Sequence, residues 1–462
     1  MLREWQKECS EAALEKYQSG SPHFLCLASP GAGKTVMAAE VARKMLELKL
    51  VDLILCFAPS SVVVSSIEST FSHILQRNFN GGLGAVGAVY TYHSLMYFDK
   101  SFWHSLQMHR VLVVFDEIHH CSGDSLNNAN MWGGEILNRV QQCTSYTLAL
   151  TGTPWRTDNN PIVLSNYTDP QGKICCDYVY GLHEAIVDGV CRKPKIALIN
   201  SNNLLYSSGE VVQHFDSIAG FLSETITSYQ SIIWHPDAMK YLLKSGCKKL
   251  CEIRKVNSDA GGLVVASSVE HAYQLLNILE NEFAQTATIV TYHDRDALVK
   301  IENYRQSTTE WIVSVGMISE GTDIPRLQVC CHLSSVKTEL YFRQVLGRIL
   351  RVNQSENQEA WLFTIATDEL TLFSNRLAED LPEDYKILQK QSDEWSLSIH
   401  ETESTSPEIV RRNGMSKIGE FNLKMNFSEI TISPPAVLDK TKQLNMGSLY
   451  QQVIDAFLFS VI

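Results

Sequence analysis

The sequence predicts an α/β protein with two parallel-sheet lobes, a partly helical connector between them and a short C-terminal extension. Continuous apolar runs of strand length alternate with helix-periodic stretches along residues 1–195, and the alternation begins again along residues 259–375. Apolar runs of this kind indicate parallel strands that helices cover on both faces. With 462 residues, the chain is also long enough for two or three domains.

The first alternating series predicts lobe 1, residues 1–195. The run at residues 111–115 is wholly apolar, which is typical of a central strand buried on both faces. The glycine-rich residues 81–87 are expected to form a loop. The expected helices are residues 6–17, 35–48 and 61–75, and the expected strands are residues 24–28, 53–58, 88–91, 111–115 and 147–150.

The second series predicts lobe 2, residues 259–375. Its expected strands are residues 262–266, 287–291, 311–315, 328–333 and 361–365, and its expected helices are residues 270–283, 296–305 and 338–350. The connector is residues 196–258, with helical patterns at 217–229 and 237–255.

Residues 376–462 form the C-terminal extension. Residues 391–409 are polar and acidic, which predicts a solvated linker. The apolar end at residues 448–462 is expected to dock on one lobe as a helix, and a helix that binds a partner protein is the alternative.

Composition excludes several classes of protein. The net charge of −12 argues against a uniformly basic nucleic-acid coat, although a local basic groove remains compatible with it. No apolar run reaches the roughly 18 residues of a membrane span, and the charged N-terminus lacks the apolar core of a signal peptide. We therefore expect a cytoplasmic protein without membrane contact, whose cysteines are mostly buried thiols.

The strongest motif is the sequence ASPGAGKT at residues 28–35, which follows a predicted strand and opens a predicted helix. In that context the backbone N–H groups of a glycine-rich loop can cradle the phosphates of ATP. Lys34 can reach the β- and γ-phosphates, and the hydroxyl of Thr35 can bind Mg²⁺. The other loop residues expected to contact the nucleotide are Ser29, Pro30, Gly31, Ala32 and Gly33.

A pair of carboxylates follows the apolar strand at residues 111–115. Asp116 can hold Mg²⁺, and Glu117 can polarise the water that attacks ATP. The sequence TLALTGTPWR at residues 147–156 again places a turn after a strand, which suits a segment that couples the nucleotide to another ligand.

Together these motifs resemble the superfamily-two helicases and translocases of the DExH kind, with DEIH at residues 116–119. The sequence LTGTPWR at residues 150–156 is similar to that of type I and type III restriction motor subunits and related DNA helicases. VGMISEGTDIPRL at residues 315–327 resembles the family's fifth motif, and RQVLGRILR at residues 343–351 resembles its sixth. The resemblance covers about residues 1–370 and implies two RecA-like lobes that close on ATP.

The resemblance also implies roles for side chains of lobe 2. Arg348 and Arg351 are three residues apart, which would place them on one face of the predicted helix. Arg351 would be an arginine finger, with Arg348 beside it at the γ-phosphate and Gln344 near Mg²⁺ or water. The ribose would be bound by Gly321 and Asp323 of lobe 2. In lobe 1, Gln6 would bind the adenine base.

Contacts with nucleic acid are expected from hydroxyl-bearing and aromatic residues at strand ends. Such groups donate to phosphate oxygens without strong positive charge, which suits a motor that must repeatedly release and rebind the nucleic-acid backbone. The alternative is that some of the serines are helix N-caps. The candidates are Ser60, Ser61, Thr91, Tyr92, His93, Ser267, Thr291 and Thr322, with Thr91, Tyr92 and His93 expected to be exposed at a strand end.

The function indicated is an ATP- and Mg²⁺-dependent nucleic-acid helicase or translocase. Analogy with restriction motors favours DNA over RNA, and repair or genome defence as the setting. The alternative is an ATP-switched clamp that binds nucleic acid and recruits a nuclease or other effector without unwinding. An ATPase that acts on proteins is disfavoured by the order of the motifs.

Overall fold

The computed structural model describes residues 2–123, 129–153, 160–168, 173–208, 211–316, 324–377 and 442–455. Three predicted site residues, Gly321, Thr322 and Asp323, lie outside these residues, as does the predicted linker at 391–409.

Eighteen strands and fourteen α-helices are present in the described residues. The strands are β1 (His23–Ala28), β2 (Leu53–Ala58), β3 (Gly87–Thr91), β4 (Val111–Phe115), β5 (Tyr146–Thr151), β6 (Asn166–Thr168), β7 (Lys173–Cys175), β8 (Tyr178–Tyr180), β9 (Lys193–Ser201), β10 (Leu204–Ser208), β11 (Val211–Phe215), β12 (Gly261–Ala266), β13 (Ala287–Val290), β14 (Trp311–Ser314), β15 (Leu327–Leu333), β16 (Glu359–Ile365), β17 (Lys442–Asn445) and β18 (Leu449–Ile454). The helices are α1 (Glu4–Gln18), α2 (Lys34–Glu47), α3 (Ser61–Leu75), α4 (Lys100–Gln107), α5 (Met131–Glu135), α6 (Gln141–Cys143), α7 (Leu182–Val187), α8 (Ile218–Glu224), α9 (Tyr229–Ile233), α10 (Pro236–Arg254), α11 (Val269–Asn277), α12 (Ala297–Gln306), α13 (Glu339–Leu346) and α14 (Asp368–Asn375).

Lobe 1 is built on a parallel sheet with the strand order β3-β2-β4-β5-β1-β8. Strand β4 lies between β2 and β5, and all five of its side chains are buried, because apolar clusters cover both faces of the sheet. The carboxyl ends of β1, β4 and β5 meet at one edge of this sheet, where the sequence motifs lie.

Lobe 2 is built on a seven-stranded sheet with the order β13-β14-β12-β15-β16-β9-β18. Its first six strands are parallel, and β18 is antiparallel to β9. The predicted α/β class with two parallel-sheet lobes is thereby confirmed.

Part of the predicted connector is built into lobe 2. Strand β9 begins at Lys193 and pairs in parallel with β16 over seven residues, so the lobe 2 sheet starts before residue 196. Helix α10 packs closely on this sheet, since a Cβ added to Gly246 would lie 2.5 Å from the sulfur of Cys331. The helix prediction for residues 237–255 agrees with α10, but its helical periodicity did not indicate which sheet it covers.

The C-terminal extension departs from its predicted form. The prediction of a terminal helix is wrong for β18, because Leu449–Ile454 pairs antiparallel with β9 and closes that edge of the lobe 2 sheet. Strand β17 similarly extends the small antiparallel sheet of β10 and β11. A short apolar run fits a helix or a strand equally well, and here the open edge of β9 decides. Across the described residues, no helix combines the length and hydropathy needed to cross a membrane.

Candidate functional site

The phosphate loop connects β1 to α2 at the carboxyl edge of lobe 1. Gly31 and Gly33 have φ values of 84° and 95°, a left-handed backbone that glycine adopts without steric cost. Gly33 is the N-cap of α2, so the N-terminus of that helix opens towards the loop. Lys34 is 8% exposed, and its ammonium lies 3.2 Å from the carbonyl oxygen of Ala28, which folds the side chain back over the loop.

The carboxylates that follow β4 lie beside this lysine. The ammonium of Lys34 is 3.2 Å from Oε1 of Glu117, and the backbone N–H of Gly152 donates to Oε2 of Glu117 at 3.1 Å. Glu117 itself has a φ of 51°, a left-handed conformation that is strained for a side chain with a Cβ. The ion pair and the Gly152 hydrogen bond hold the carboxylate in place despite that strain.

The pKa values of the two adjacent carboxyl groups are shifted in opposite directions. Burial raises the pKa of Asp116 to about 7, and the neighbouring charge of Glu117 adds to the shift. Burial also acts to raise the pKa of Glu117, but Lys34, His119 and the Gly152 N–H together lower it to about 2. Glu117 is therefore the ionised member of the pair, as a general base must be.

A second network connects the DEIH segment to the end of β5. The hydroxyl of Thr151 donates to the carbonyl of Thr153, so Nδ1 of His119 carries the proton that it donates to Thr151 Oγ1 at 2.9 Å. The same Nδ1 lies 3.4 Å from Oε2 of Glu117. His119 and Thr151 were missed as site residues. Both lie within motifs that the sequence showed, DEIH and LTGTPWR, and the structure brings them together because β4 and β5 are neighbours in the sheet.

Helix α1 supports the phosphate loop from below. Nε2 of Gln6 donates to the carbonyl of Gly33 at 3.0 Å, and Nη1 of Arg3 donates to the carbonyl of Ala32 at 2.6 Å. Oε1 of Gln6 accepts the backbone N–H of Arg3 at 2.9 Å. Both ends of the Gln6 amide thus bind protein groups in this structure, and Arg3, which no motif indicated, shares the contact with the loop. Trp5 is buried and stacks on Tyr180 at 4.7 Å, so it belongs to the core.

Thr35 and Asp116 fit a magnesium ion. Their hydroxyl and carboxylate oxygens are the hard ligands that Mg²⁺ prefers. Both residues also line one small cavity whose other lining side chains are apolar or a thiol. The raised pKa of Asp116 indicates a carboxylate whose ionised form lacks sufficient compensation, which a divalent cation would supply.

Arg351 of lobe 2 reaches the phosphate loop of lobe 1. A Cβ placed on Gly31 would lie 3.1 Å from Cγ of Arg351, so the two residues are in close contact across the cleft. Gly347 approaches in the same way, since its Cβ would lie 2.6 Å from Cβ of Pro30. An interlobe crevice continues from this contact and is lined by Ser29, Pro30, Gly152, Arg343, Leu346, Leu350 and Leu377, among others.

The predicted helix at residues 338–350 is shorter than expected. Helix α13 ends at Leu346, so Arg348 and Arg351 do not share a helix face, whereas Gln344 is helical and half-buried. Arg348 lies half-buried in the turn that follows, and Arg351 is extended in a β-bridge with Cys191. After the helix ends, a tertiary contact holds the chain extended, because the backbone carbonyl of Leu350 accepts the N–H of Arg192 at 2.7 Å.

The nucleic-acid candidates of lobe 1 divide between surface and core. The prediction that Tyr92 is exposed is wrong: its side chain is fully buried and its hydroxyl donates to the carbonyl of Asp116 at 2.8 Å. His93 is exposed as predicted, whereas Thr91 is only half-buried rather than exposed, and its hydroxyl lies 3.0 Å from that of Ser94. Ser60 is the N-cap of α3, and Ser61 beside it is exposed.

The candidates of lobe 2 are largely engaged by neighbouring protein groups. Ser267 is buried, accepts the indole N–H of Trp234 at 3.0 Å and lies 2.8 Å from Nδ1 of His271. Thr291 is buried, and both its N–H and its hydroxyl donate to Asp294. Ser268 is the N-cap of α11, which agrees with the capping alternative at this position.

Comparisons with known proteins agree with the motifs. Residues 1–156 match the family model described as the res subunit of type III restriction enzymes. An uncharacterized protein of Mycobacterium tuberculosis is 30% identical over 397 residues, which cover 81% of this chain and 63% of that protein. The DNA 3'-5' translocase XPB2 of Sulfurisphaera tokodaii is 23% identical over 397 residues, covering 79% of this chain and 81% of that protein.

A solved structure shows the same fold. The fragment structure of a proposed HsdR subunit of a type I restriction enzyme from Vibrio vulnificus YJ016 superimposes with a TM-score of 0.54 at 19% identity, covering 82% of this chain and 67% of that chain. The chain spans about 63% of the length of its mycobacterial relative. The resemblance to superfamily-two helicases and translocases, including restriction motor subunits, is confirmed.

Proposed function

We propose that this chain is an ATP-dependent helicase or translocase that acts on DNA, in repair or genome defence. The observation that carries the proposal is the contact of Arg351 with Gly31, which brings a cation of lobe 2 to the phosphate loop of lobe 1. A phosphate loop alone supports nucleotide binding, whereas a site completed from two lobes supports hydrolysis coupled to lobe movement.

ATP would bind along the loop of residues 29–35 with its phosphates at the N-terminus of α2. Lys34 would then exchange its contact with Glu117 for the β- and γ-phosphates. The pKa of Glu117 is held low partly by Lys34, so moving the ammonium away makes the carboxylate a stronger base at the moment when it is needed. Glu117 would accept a proton from the attacking water.

Mg²⁺, held by Thr35 and Asp116, would supply positive charge at the β- and γ-phosphate oxygens when bound. Arg351 would stabilise the charge that develops on the transferred phosphoryl group, with Arg348 and Gln344 assigned to its surroundings. Gly321 and Asp323 remain assigned to the ribose, and Gln6 to the adenine, which requires its amide to exchange a protein contact for the base.

Coupling to nucleic acid would run through the network of His119, Thr151 and Thr153. This network joins Glu117 to the end of β5. The segment that follows β5 is the one expected to couple the nucleotide site to the bound nucleic acid. Similarity to a DNA translocase and to restriction-enzyme subunits supports DNA as the track and restriction-type or repair processes as the setting.

The experiment that tests the proposal is the ATPase rate of the purified chain with single-stranded, duplex and forked DNA and RNA. Stimulation by DNA that exceeds stimulation by RNA is expected. An ATPase that no nucleic acid stimulates would contradict the proposal and favour a protein substrate.

Strand displacement on a tailed duplex separates the activities within the proposal. Displacement of the labelled strand in the presence of ATP identifies a helicase. ATP turnover without displacement identifies a duplex translocase if the protein removes a bound obstacle from the DNA. Turnover without either effect would favour the ATP-switched clamp.

A further inference from the structure

The backbone passes from lobe 1 to lobe 2 at Cys191 and Arg192, and these neighbours contact opposite lobes. The thiol of Cys191 is 4% exposed and lies 3.6 Å from the carbonyl oxygen of Pro30 in the phosphate loop. Arg192 directly precedes β9, which belongs to the lobe 2 sheet. The chain connection between the lobes, the contact with the phosphate loop and the start of the lobe 2 sheet therefore all lie at these two residues.

The side chain of Arg192 is 1% exposed and is held by carbonyl groups of lobe 2. Its Nη1 donates to the carbonyls of Leu327 at 2.7 Å and Ile349 at 3.2 Å. Its Nη2 donates to the carbonyl of Pro325 at 3.1 Å, and its Nε donates to the side chain of Gln358 at 3.2 Å. The planar fork of a guanidinium suits this set of acceptors, which an ammonium could satisfy only in part.

Burying the charged guanidinium of Arg192 carries a desolvation penalty. Burial lowers the pKa of Arg192 to about 10, which still leaves it charged at neutral pH. Among the described residues no carboxylate forms an ion pair with it, so carbonyl dipoles alone compensate the charge. An apolar side chain would fill the same space without that desolvation cost. The number of hydrogen bonds, and the segments they reach, account for the arginine better than packing does.

Two of the carbonyl groups that Arg192 binds belong to the residues directly before Arg351. Its side chain binds the carbonyl of Ile349, and its backbone N–H donates to the carbonyl of Leu350 at 2.7 Å. The residue before it, Cys191, forms a β-bridge with Arg351. Three consecutive residues that end in Arg351 are thus anchored by Cys191 and Arg192, immediately after α13 has ended.

We propose that Arg192 is a positioning residue for the arginine finger, because its guanidinium fixes the backbone from which Arg351 reaches the phosphate loop. Cys191 contacts Pro30 and Arg192 holds residues 349–351, so a shift of the phosphate loop on binding ATP is transmitted to the finger through two adjacent residues. This inference rests on the proposed function, since it requires Arg351 to act on ATP.

A double-mutant cycle with Arg351 tests the inference in the full chain, with ATPase measured at saturating stimulatory DNA. Arg192→Gln should lower kcat about 10²-fold, the effect of misplacing a catalytic group by about 1 Å, with KM for ATP nearly unchanged. In the Arg351→Ala background the same substitution should cause no further loss, because Arg192 acts through Arg351.

Arg254→Gln is the matched control. Arg254 also holds lobe 2 carbonyls with its guanidinium, those of Ala260 at 2.6 Å and Thr308 at 3.0 Å, but neither acceptor belongs to residues 349–351. This variant should keep the kcat of the parent chain. Arg192→Lys, which keeps the buried cation and loses the planar fork, should fall between the parent and Arg192→Gln.

Several outcomes would overturn the inference. An equal loss of kcat in both backgrounds would show a purely structural role, as would loss of a cooperative thermal transition in both Arg192→Gln and Arg192→Lys. An unchanged kcat in Arg192→Gln would remove the role altogether. If Arg351→Ala itself turned over ATP at the parent rate, the finger of the proposed function would fail. An inactive Arg351→Ala combined with an additive cycle would overturn only the role of Arg192.

Discussion

The two lobes share a parallel-sheet architecture but differ in the polar groups that they bury. The site in lobe 1 contains an ion pair: the ammonium of Lys34 lies 3.2 Å from Glu117, and Nδ1 of His119 lies 3.4 Å from the same carboxylate. In lobe 2 the buried histidines are neutral, with His271 bonded to Ser267 and His332 lying 3.2 Å from Thr364. The buried guanidinium groups of Arg192 and Arg326 are held mainly by carbonyl oxygens.

This difference indicates that the two lobes have different roles in ATP hydrolysis. Lobe 1 concentrates the groups that bind phosphate and activate water, where a low dielectric strengthens their interactions. Lobe 2 supplies Arg351 to that site from a scaffold in which the buried Arg192 and Arg326 are held mainly by uncharged carbonyl groups. The ionic groups of lobe 1, completed by Arg351, are therefore expected to control turnover, whereas the neutral histidines of lobe 2 are expected to affect the stability of that lobe.

The largest effect is expected from the ionic pair of lobe 1. Glu117→Gln should reduce ATP turnover by roughly 10⁴-fold, because it removes the general base while keeping the shape of the side chain. ATP should still bind, so a fluorescent ATP analogue should show near-parental affinity. Lys34→Ala should also abolish turnover but should weaken binding, since a cation is removed from the phosphates. If Glu117→Gln turned over ATP at the parental rate, Glu117 of lobe 1 would not be the general base.

The next effect concerns the group that lobe 2 contributes. Arg351→Ala should lower turnover about 10³-fold with a much smaller change in nucleotide affinity, because the guanidinium acts mainly in the transition state. Arg351→Lys should recover only part of the rate, since an ammonium lacks the planar fork. A large loss of affinity with an intact kcat would mean that Arg351 binds the ground state instead.

A moderate effect is expected from salt, because both lobes are predicted to contact phosphates of the track. If about three phosphates are neutralised, tripling the salt concentration should weaken DNA binding roughly 10-fold or more, through counterion release. A fluorescence-anisotropy titration at several salt concentrations measures this slope. Binding that does not change with salt would indicate that the loops of the two lobes do not grip the backbone, despite the exposure of His93 and Ser61.

The smallest effect on activity is expected from the neutral histidines of lobe 2, because their protonation changes stability rather than turnover. Burial lowers the pKa of His271 to about 4, below its value of 6.5 in the unfolded chain. The folded state thus resists protonation, so the stability that the neutral ring contributes is complete above pH 6.5 and is lost as the pH falls towards 4. Between pH 7 and pH 5 the loss should be about 2 kcal/mol.

The matched variant for this prediction is His271→Phe, which keeps a ring against Trp234 at the present 4.8 Å stack. It should be less stable at pH 7, because the hydrogen bond to Ser267 is lost, but its thermal midpoint should fall less between pH 7 and pH 5. An identical pH dependence in the parent and variant would show that His271 does not contribute to acid sensitivity.

The eight elements predicted for lobe 1 match the structure to within two residues at each end, since each depends on local pattern, whereas α4 and the edge strand β8 were not predicted. The helix predicted at residues 61–75 and the strand predicted at 111–115 match α3 and β4 end for end. The phosphate loop was equally accessible, because two glycines, a lysine and a threonine at fixed spacing after a strand describe its backbone as well as its chemistry.

Tertiary structure decided the features that depend on a distant partner. Burial of Tyr92 depends on a carbonyl of Asp116, and the extended form of Arg351 depends on Cys191 and Arg192, more than 150 residues earlier in the chain. The strand at Leu449–Ile454 exists because β9 offers it an unpaired edge. The sequence by itself thus determined the fold class and the ATP-binding motifs of lobe 1, which arise from neighbouring residues. How the finger is held, which hydroxyls face the surface and which strand closes the second sheet arise from contacts between segments that local periodicity does not record.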